Sequence, residues 1–389
     1  MIENRADVIV VGGGLMGAAT AFFLQQRGLS AILLERDLVG QGATNASFGN
    51  IRRQGRFLKQ LPLANRSRAL WGDMNRLLGE DAEFLASGHI RVAFREEDVA
   101  SLEKYKENSA PYGLHLEMMR GNTMRARFPF LSPEAIMVSY SPHDGHANPR
   151  LAAPAFGRAA ARAGARVIEN AEVLGITKDG VDFVVETKGK GSFRAPMVQV
   201  SAGAWGRAIA KALGEDVPLV ARAPQMAVTE PMPYRIEPVM GLHSSVPGEG
   251  VYMRQVKRGN IVFGGGNRST ADLITKRANH DPMNTLKQIP HVARLLPATA
   301  KLRVIRTWAG VEGYVADDIP IMGESGKQPG LFYAFGFCGH GFQLGPGVGA
   351  TMAQLIATGD PGVPIDPFSI KRFAGGFAEP DAADKPHHE

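Results

Sequence analysis

Three glycines and one acid near the N-terminus carry the clearest chemical signal in the chain. Residues 7–17 read DVIVVGGGLMG, so Gly12, Gly14 and Gly17 stand at G-x-G-x-x-G spacing, and Glu35 follows eighteen residues past Gly17. That spacing permits a tight turn at Gly12, close approach of a pyrophosphate to the backbone at Gly14, and close seating of a helix on a sheet at Gly17. A helix starting behind the glycines offers N–H groups and a partial positive charge to the anion. A carboxylate at Glu35 can accept from ribose hydroxyls and would repel a 2′-phosphate, which disfavours NADP. The pattern predicts a dinucleotide site; alone it does not choose between FAD and NAD.

A second glycine-rich stretch, GFCGHGFQLGPGVG at Gly336 to Gly349, follows an apolar run and precedes a helix. Glycines let backbone reach the edge of a flat ring system, and a helix N-terminus there would stabilise negative charge on it. The competing reading is a packing turn between strand and helix. Arg52 and Arg53 share a polar loop and could form an anion site or a surface salt bridge. Glu312 could hold an ammonium or guanidinium group or be a satisfied structural carboxylate. Tyr252 and Tyr314 could close a substrate pocket or be core aromatics. His340 is expected to orient its turn, His89 to start a strand, and Cys338 to be a small buried side chain. No Cys/His spacing suits a metal ion, and no Ser–His–Asp set is evident.

These residues need elements to hold them. Asp7 to Val11, Leu15 to Arg27 and Ser30 to Leu34 read as strand, helix, strand, a βαβ unit with parallel strands. Gly40 to Gly55 reads as loop. Helices are expected over Leu63 to Leu78, Val99 to Tyr112, Ala152 to Ala163 and Gly345 to Thr358. Strands are expected over His89 to Phe94, at Val167, over Val173 to Ile176, Val181 to Thr187, Met197 to Val200 and Leu331 to Phe335, with a strand-rich region from Val220 to Phe263.

At 389 residues the chain is long for one core and suggests two domains. Its 44% hydrophobic and 21% charged residues are ordinary for a globular protein. The formal charge of +6 has no basic stripe with interleaved aromatics, which argues against nucleic acid. One cysteine cannot make an intrachain disulfide. The N-terminal residues lack the features of a secretory signal, and no run is long enough to span a bilayer. A cytoplasmic protein is expected, with loose membrane attachment left open.

Taken in order, GGGLMG, ASFGNIRRQG, DGHANPRLAAPAF, SAGAWG at Ser201 to Gly206, WAGVEGYVADDIPIMG at Trp308 to Gly323 and GFCGHGF resemble the D-amino acid oxidase-like FAD superfamily across nearly the whole chain. Its members include sarcosine and glycine oxidases, D-amino acid dehydrogenases, and flavin subunits of opine oxidases and hydroxyproline dehydrogenases. The resemblance implies FAD and an α/β fold. A Rossmann-like FAD-binding domain (residues 1–85, 145–219 and 305–375) is interleaved with a mixed-sheet substrate domain (86–144 and 220–304), and a disordered tail follows from 376.

On that resemblance the dinucleotide lies against Gly12, Gly14, Leu15, Met16 and Gly17, then Glu35 and Arg36. The loop adds Ala43, Thr44, Ser47, Gly49 and Asn50; Val173 serves the adenine side; Ala202, Gly203, Trp205 and Gly310 follow. Gly339, His340, Gly341, Phe342 and Gln343 complete the set. The substrate groups are Arg53, Arg52, Tyr252, Glu312, Tyr314 and His340. Relatives carry Arg where this chain has Glu312, and a carboxylate cannot bind a carboxylate, so Arg53 first and Arg52 second are expected to hold a substrate carboxylate. A sarcosine oxidase lysine that helps bind carboxylate is replaced by Gln343. The cysteine that bonds flavin in that relative falls at about Glu312, so non-covalent FAD is expected. The lysine that serves oxygen there has no counterpart in Ile261 to Gly266. The implied activity is dehydrogenation of the C–N bond of a small amino or imino acid: a D-amino acid, D-proline or D-hydroxyproline, sarcosine or an opine. Electrons would pass to a quinone or a partner subunit in a homo- or hetero-oligomer; the alternatives are an oxygen-using oxidase or a flavin-bearing subunit.

Overall fold

A computed structural model describes residues 4–377, and the expected tail lies, past 377, outside them. Two large sheets organise the chain. The first has six strands in the order Ile321–Glu324, Leu331–Phe335, Met197–Val200, Val8–Val11, Ala31–Leu34 and Arg166–Ile168. All are parallel except Ile321–Glu324, which runs antiparallel to Leu331–Phe335. The central strands are buried on both faces, which is why they read as continuous apolar runs. Val8, Val10 and Leu33 face a helical layer; Ile9, Val11, Ile32 and Leu34 pack with Phe183, Val185 and Phe193 of a three-stranded meander, Val173–Asp179, Asp182–Thr187 and Gly191–Ala195. The alternation is the two-residue period of a strand. Burying each such side chain contributes about 1.5–3 kcal/mol.

The helical layer is built on Leu15–Gln25, which packs against both Gly341–Thr358 and Pro149–Arg162. Three glycines of the closing helix set these distances. A β-carbon at Gly345 would collide with Leu15, one at Gly349 with Ala19, and one at Gly347 would come 2.6 Å from the Ser67 side chain. This helix starts at Gly341, a turn earlier than expected, although it contains Pro346. The Gln343 carbonyl accepts from Ser67 Oγ at 2.5 Å and Trp71 Nε1 at 2.9 Å, and Gly347 N–H donates to Ser67 Oγ. Tertiary bonds thus hold the glycine-rich turn helical where local propensity would not.

The second sheet has eight strands in the order Val304–Ala309, Gln225–Pro231, Asn260–Gly265, Val251–Gln255, Val239–His243, His89–Ala93, Met137–Ser141 and Glu117–Arg120, antiparallel save for the pair Val239–His243 and His89–Ala93. A four-stranded sheet that includes Leu219–Ala223 and Glu312–Val315 stands beside the two. The segments of the large sheets alternate along the chain, so the fold is an α/β Rossmann-like unit interleaved with a mixed-sheet unit. Two local expectations change. The helix read over Leu63 to Leu78 is two helices, Leu61–Gly72 and Met74–Leu78, parted at Asp73, whose φ is −107°. The loop from Gly40 to Gly55 contains a short helix, Ala43–Ala46, and a strand, Asn50–Ile51, paired with Gly145–His146.

Candidate active site

A cavity of about 560 Å³ runs from the glycine turn to the face of the eight-stranded sheet. Its first end is made mostly of backbone. Gly12 turns with φ +102°, where a β-carbon would stand 2.6 Å from the Ser201 carbonyl oxygen. A β-carbon at Gly17 would run into the Gly12 carbonyl, so Gly17 seats helix on strand and does not itself line the cavity. Glu35 accepts from Gly13 N–H at 2.6 Å and Asp37 N–H at 2.8 Å. Burial raises its carboxyl above the usual range, and these two bonds oppose the rise. The Arg36 guanidinium lies 4.2 Å over the Trp205 ring, and Thr44 Oγ1 accepts from Leu15 N–H at 3.2 Å. Leu15, Met16, Ala43, Ser47, Asn50, Val173, Ala202, Gly203 and Gly310 line the same cavity. Gly49 does not; a β-carbon there would collide with the Ala147 carbonyl, so it is a packing glycine.

The other end is made of side chains. Arg52, Arg56, Arg91 and Arg268 line it, with Tyr252, Glu312, Tyr314, His89 and His340. Arg52 Nη1 donates to the carbonyls of Gln54 at 2.7 Å and Gly55 at 3.2 Å. A β-carbon on Gly55 would collide with Arg91 and come 2.8 Å from Arg52, so both guanidinium groups crowd one glycine. Arg56 donates from Nε to the Arg52 carbonyl at 2.7 Å. Burial, then Arg52, lower its pKa to about 9. Arg268 lies 4.6 Å over the Tyr314 ring. Burial, followed by Arg56, Arg52, Arg268 and Arg91, holds His340 well below the usual imidazole range, so it is neutral.

Of the two adjacent arginines, Arg52 is the one that lines the cavity. Arg53 does not line the cavity: its Nε donates to Asp144 Oδ1 at 2.8 Å, its backbone N–H to Asp144 Oδ2 at 2.8 Å, and its Nη1 to Asn65 at 3.3 Å. Asp144 is wholly buried and captures the guanidinium. Glu312 faces inward, yet its Oε2 accepts from the Tyr314 hydroxyl at 3.0 Å and its Oε1 from Gly339 N–H at 2.8 Å. It ties the Gly339 turn to its strand, and burial raises its carboxyl. Cys338 lines the cavity with its thiol held between Val315 N–H and the Gly336 carbonyl; burial pushes the thiol up, so it stays protonated. The sequence reading missed Arg56, Arg91 and Arg268. Arg56 closes the same loop as Arg52, and Arg91 sits on the His89 strand; Arg268 carried no local signal.

Four buried polar atoms of lining residues have no partner among the described residues: Asn50 Oδ1, Arg56 Nη1, His340 Nδ1 and Gln343 Oε1. Buried polar groups are normally bonded, so such a wall is built to be completed by a ligand. With the glycine cradle and Glu35 at the far end, the lining fits a dinucleotide bearing a flat polar ring. No described helix is long and apolar enough to cross a membrane, and no group of His, Cys, Asp and Glu among the described residues could hold a metal ion.

Residues 7–355 match the family of proteins described as FAD dependent oxidoreductase, DAO. Glycine oxidase of Geobacillus kaustophilus is 28% identical over 96% of this chain and 99% of its own length. An opine oxidase subunit of Rhizobium meliloti is 27% identical, over 96% of this chain and 100% of its own. Human mitochondrial sarcosine dehydrogenase is also 27% identical, but this chain spans 42% of it. Among solved structures, L-proline dehydrogenase from P. horikoshii superposes with a TM-score of 0.89 at 26% identity, covering 96% of this chain and 99% of that one.

Proposed function

Since the chain belongs to the DAO family of FAD-dependent oxidoreductases, we propose that it oxidises the C–N bond of a small amino or imino acid whose carboxylate is held by Arg52 and Arg91. The observation that carries this reading is the arginine cluster at the end of the cavity away from the glycine cradle. Guanidinium groups pair with carboxylates through parallel hydrogen bonds. They also disfavour the ammonium form of the substrate nitrogen, and oxidation needs the neutral amine. Tyr252 and Tyr314 supply apolar walls around the carbon. Acceptance of hydride from that carbon is the chemistry that FAD would supply when bound. Arg53 anchors the loop from behind through Asp144, and Glu312 fixes the turn that carries His340.

The acceptor we assign is a quinone or a partner protein, in line with the likeness to L-proline dehydrogenase and to a subunit of an opine oxidase. A second reading, oxygen as acceptor, is favoured by one observation. The lysine-free stretch Ile261 to Gly266 does not line the cavity, while five arginines do, four of them at the end away from the glycine cradle, and cations near the flavin stabilise developing negative charge on oxygen. The test is to reduce the holoenzyme anaerobically with a panel of amino and imino acids, then mix it with oxygen or a quinone. Bleaching by none of the panel sinks the amine reading; reoxidation by oxygen as fast as turnover selects the oxidase. Acid precipitation should release all of the yellow cofactor, as expected of FAD with no bond to Cys338; colour kept in the pellet sinks non-covalent binding.

A further inference from the structure

His89 does more than start its strand. It is buried, and it lines the arginine end of the cavity two residues from Arg91, on the same face of the strand His89–Ala93. Behind it, outside the cavity lining, lies Gln54, only 1% exposed. Gln54 Nε2 stands 2.8 Å from His89 Nδ1, 2.8 Å from the His89 carbonyl and 3.3 Å from the Ser139 carbonyl. Gln54 Oε1 accepts from Ser139 Oγ at 2.9 Å. Two carbonyl oxygens and one hydroxyl donor thus fix which way round the amide sits, and its NH2 group faces Nδ1. A proton on Nδ1 would point at those amide hydrogens. Nδ1 is therefore the accepting nitrogen, and the ring carries its proton on Nε2. The same contact opposes an imidazolium, which would be protonated on both nitrogens. Burial, followed by Arg52, Arg91 and Arg56, works in the same direction and holds the ring well below the usual imidazole range.

We infer that His89 binds the substrate, its Nε2–H donating to an oxygen of the substrate carboxylate, and that Gln54 is the positioning residue that makes this nitrogen a donor. The inference rests on the amine-oxidising reading and adds an uncharged contact to it. Gln54 holds the Nδ1 edge against the wall, so the Nε2 edge meets the cavity, and no described residue accepts from Nε2. Arg52 and Arg56, which line the same end, carry donors only. A carboxylate only accepts, and so fits a wall of donors. With the opposite tautomer, Nε2 would turn a lone pair towards the carboxylate and repel it. The amide of Gln54 therefore sets the sign of the contact. A neutral ring also supplies its donor without a further charge to desolvate.

The test is binding of methoxyacetate to the holoenzyme at neutral pH, followed by the perturbation of the flavin absorbance. The probe has the carboxylate and no nitrogen to oxidise. His89→Phe keeps a ring and removes the donor, while both Gln54 hydrogens keep the His89 and Ser139 carbonyls as acceptors. Kd should rise about tenfold, the effect of one hydrogen bond to a charged group, with FAD content unchanged. His89→Gln, which offers an amide donor, should recover part of the affinity. In nitrogen NMR of holoenzyme labelled at histidine, the ring signals missing from His89→Phe should be those of a neutral ring protonated on Nε2. An unchanged Kd in His89→Phe, or a proton on Nδ1, overturns the proposal. So does loss of FAD in both variants, which would assign the ring to the fold. The amine reading is judged separately, by bleaching with amino acids: amino acids that bleach the flavin with the same KM in the native protein and in His89→Phe leave that reading standing and remove this one.

Discussion

The two ends of the cavity are built by opposite means. At the glycine end the chain itself is the binding surface: Gly12 and Gly14 present backbone, Gly17 and Gly345 let helices close in behind, and Glu35 is pinned by two N–H groups. At the arginine end the surface is made of long side chains from three distant parts of the sequence, Arg52 and Arg56, Arg91, and Arg268. The first end has little freedom to vary, since side chains at Gly12 and Gly17 would strike backbone. The second can be re-tuned by exchanging one side chain at a time. A fold with a fixed cofactor end and an adjustable substrate end keeps one redox chemistry and changes what it acts on.

If that contrast is right, the greatest damage should come from the glycine end. Gly17→Val places two methyl groups where even a β-carbon meets the Gly12 carbonyl. Overpacking of this kind costs about 1–3 kcal/mol when side chains can move aside, and more against backbone. The expected outcome is insoluble protein, or soluble protein with no visible flavin absorbance; a yellow, folded variant would break the comparison. Next comes Arg53→Ala, which behaves as a core mutation although it lies next to Arg52. It leaves Asp144 buried without its cation, a loss of about 3–5 kcal/mol. Thermal unfolding should drop by many degrees. A normal Tm with a raised KM would return Arg53 to the substrate.

How much of this was legible in the sequence follows the same division. The βαβ unit, its glycines and Glu35 lie within 35 residues of the N-terminus and act through local backbone geometry, so spacing alone exposed them. The closing helix is expected only from Gly345, behind the glycine-rich turn, and it starts at Gly341 because Ser67 and Trp71 hold that turn from outside, where no local signal shows it. The arginine cluster was only half visible. Arg52 and Arg53 are adjacent and chemically alike, and which one faces the cavity is decided by Asp144, ninety-one residues from Arg53. Arg268 reaches the cavity only through the placement of the strands around it, and no spacing rule links it to Arg52.

Arg52→Ala probes the same contrast from the other end. It removes one charged partner for the carboxylate and touches no group of the glycine end. KM should rise about tenfold to a hundredfold, corresponding to roughly 1.5–3 kcal/mol, with FAD content near that of the native protein. Loss of flavin in parallel with substrate affinity would show that the two ends are one energetic unit. An unchanged KM would move the carboxylate to Arg91 and Arg268.

The smallest expected effect concerns His340, which sits where the ends meet. It is the natural suspect for a catalytic base, being a buried histidine in a cavity with an Nδ1 that no described residue partners. Its surroundings argue otherwise. Burial comes first, and Arg56, Arg52, Arg268 and Arg91 add to it, all driving its pKa well below 6.5. With the folded pKa depressed, the ring is neutral throughout pH 6 to 8, and protonation is confined to acid solution, where it would oppose the folded state. His340 therefore has no proton to gain or lose over the range in which a substrate amine is prepared. His340→Asn, which keeps a polar side chain at the turn, should lower kcat/KM by less than about tenfold, since only an orienting hydrogen bond is at stake. It should also leave the shape of the kcat/KM profile between pH 6 and 8 unchanged, any rise there belonging to the substrate. An inflection present in the native enzyme and absent from His340→Asn would show that His340 titrates in the working range, and that the arginines do not govern the proton at the substrate end.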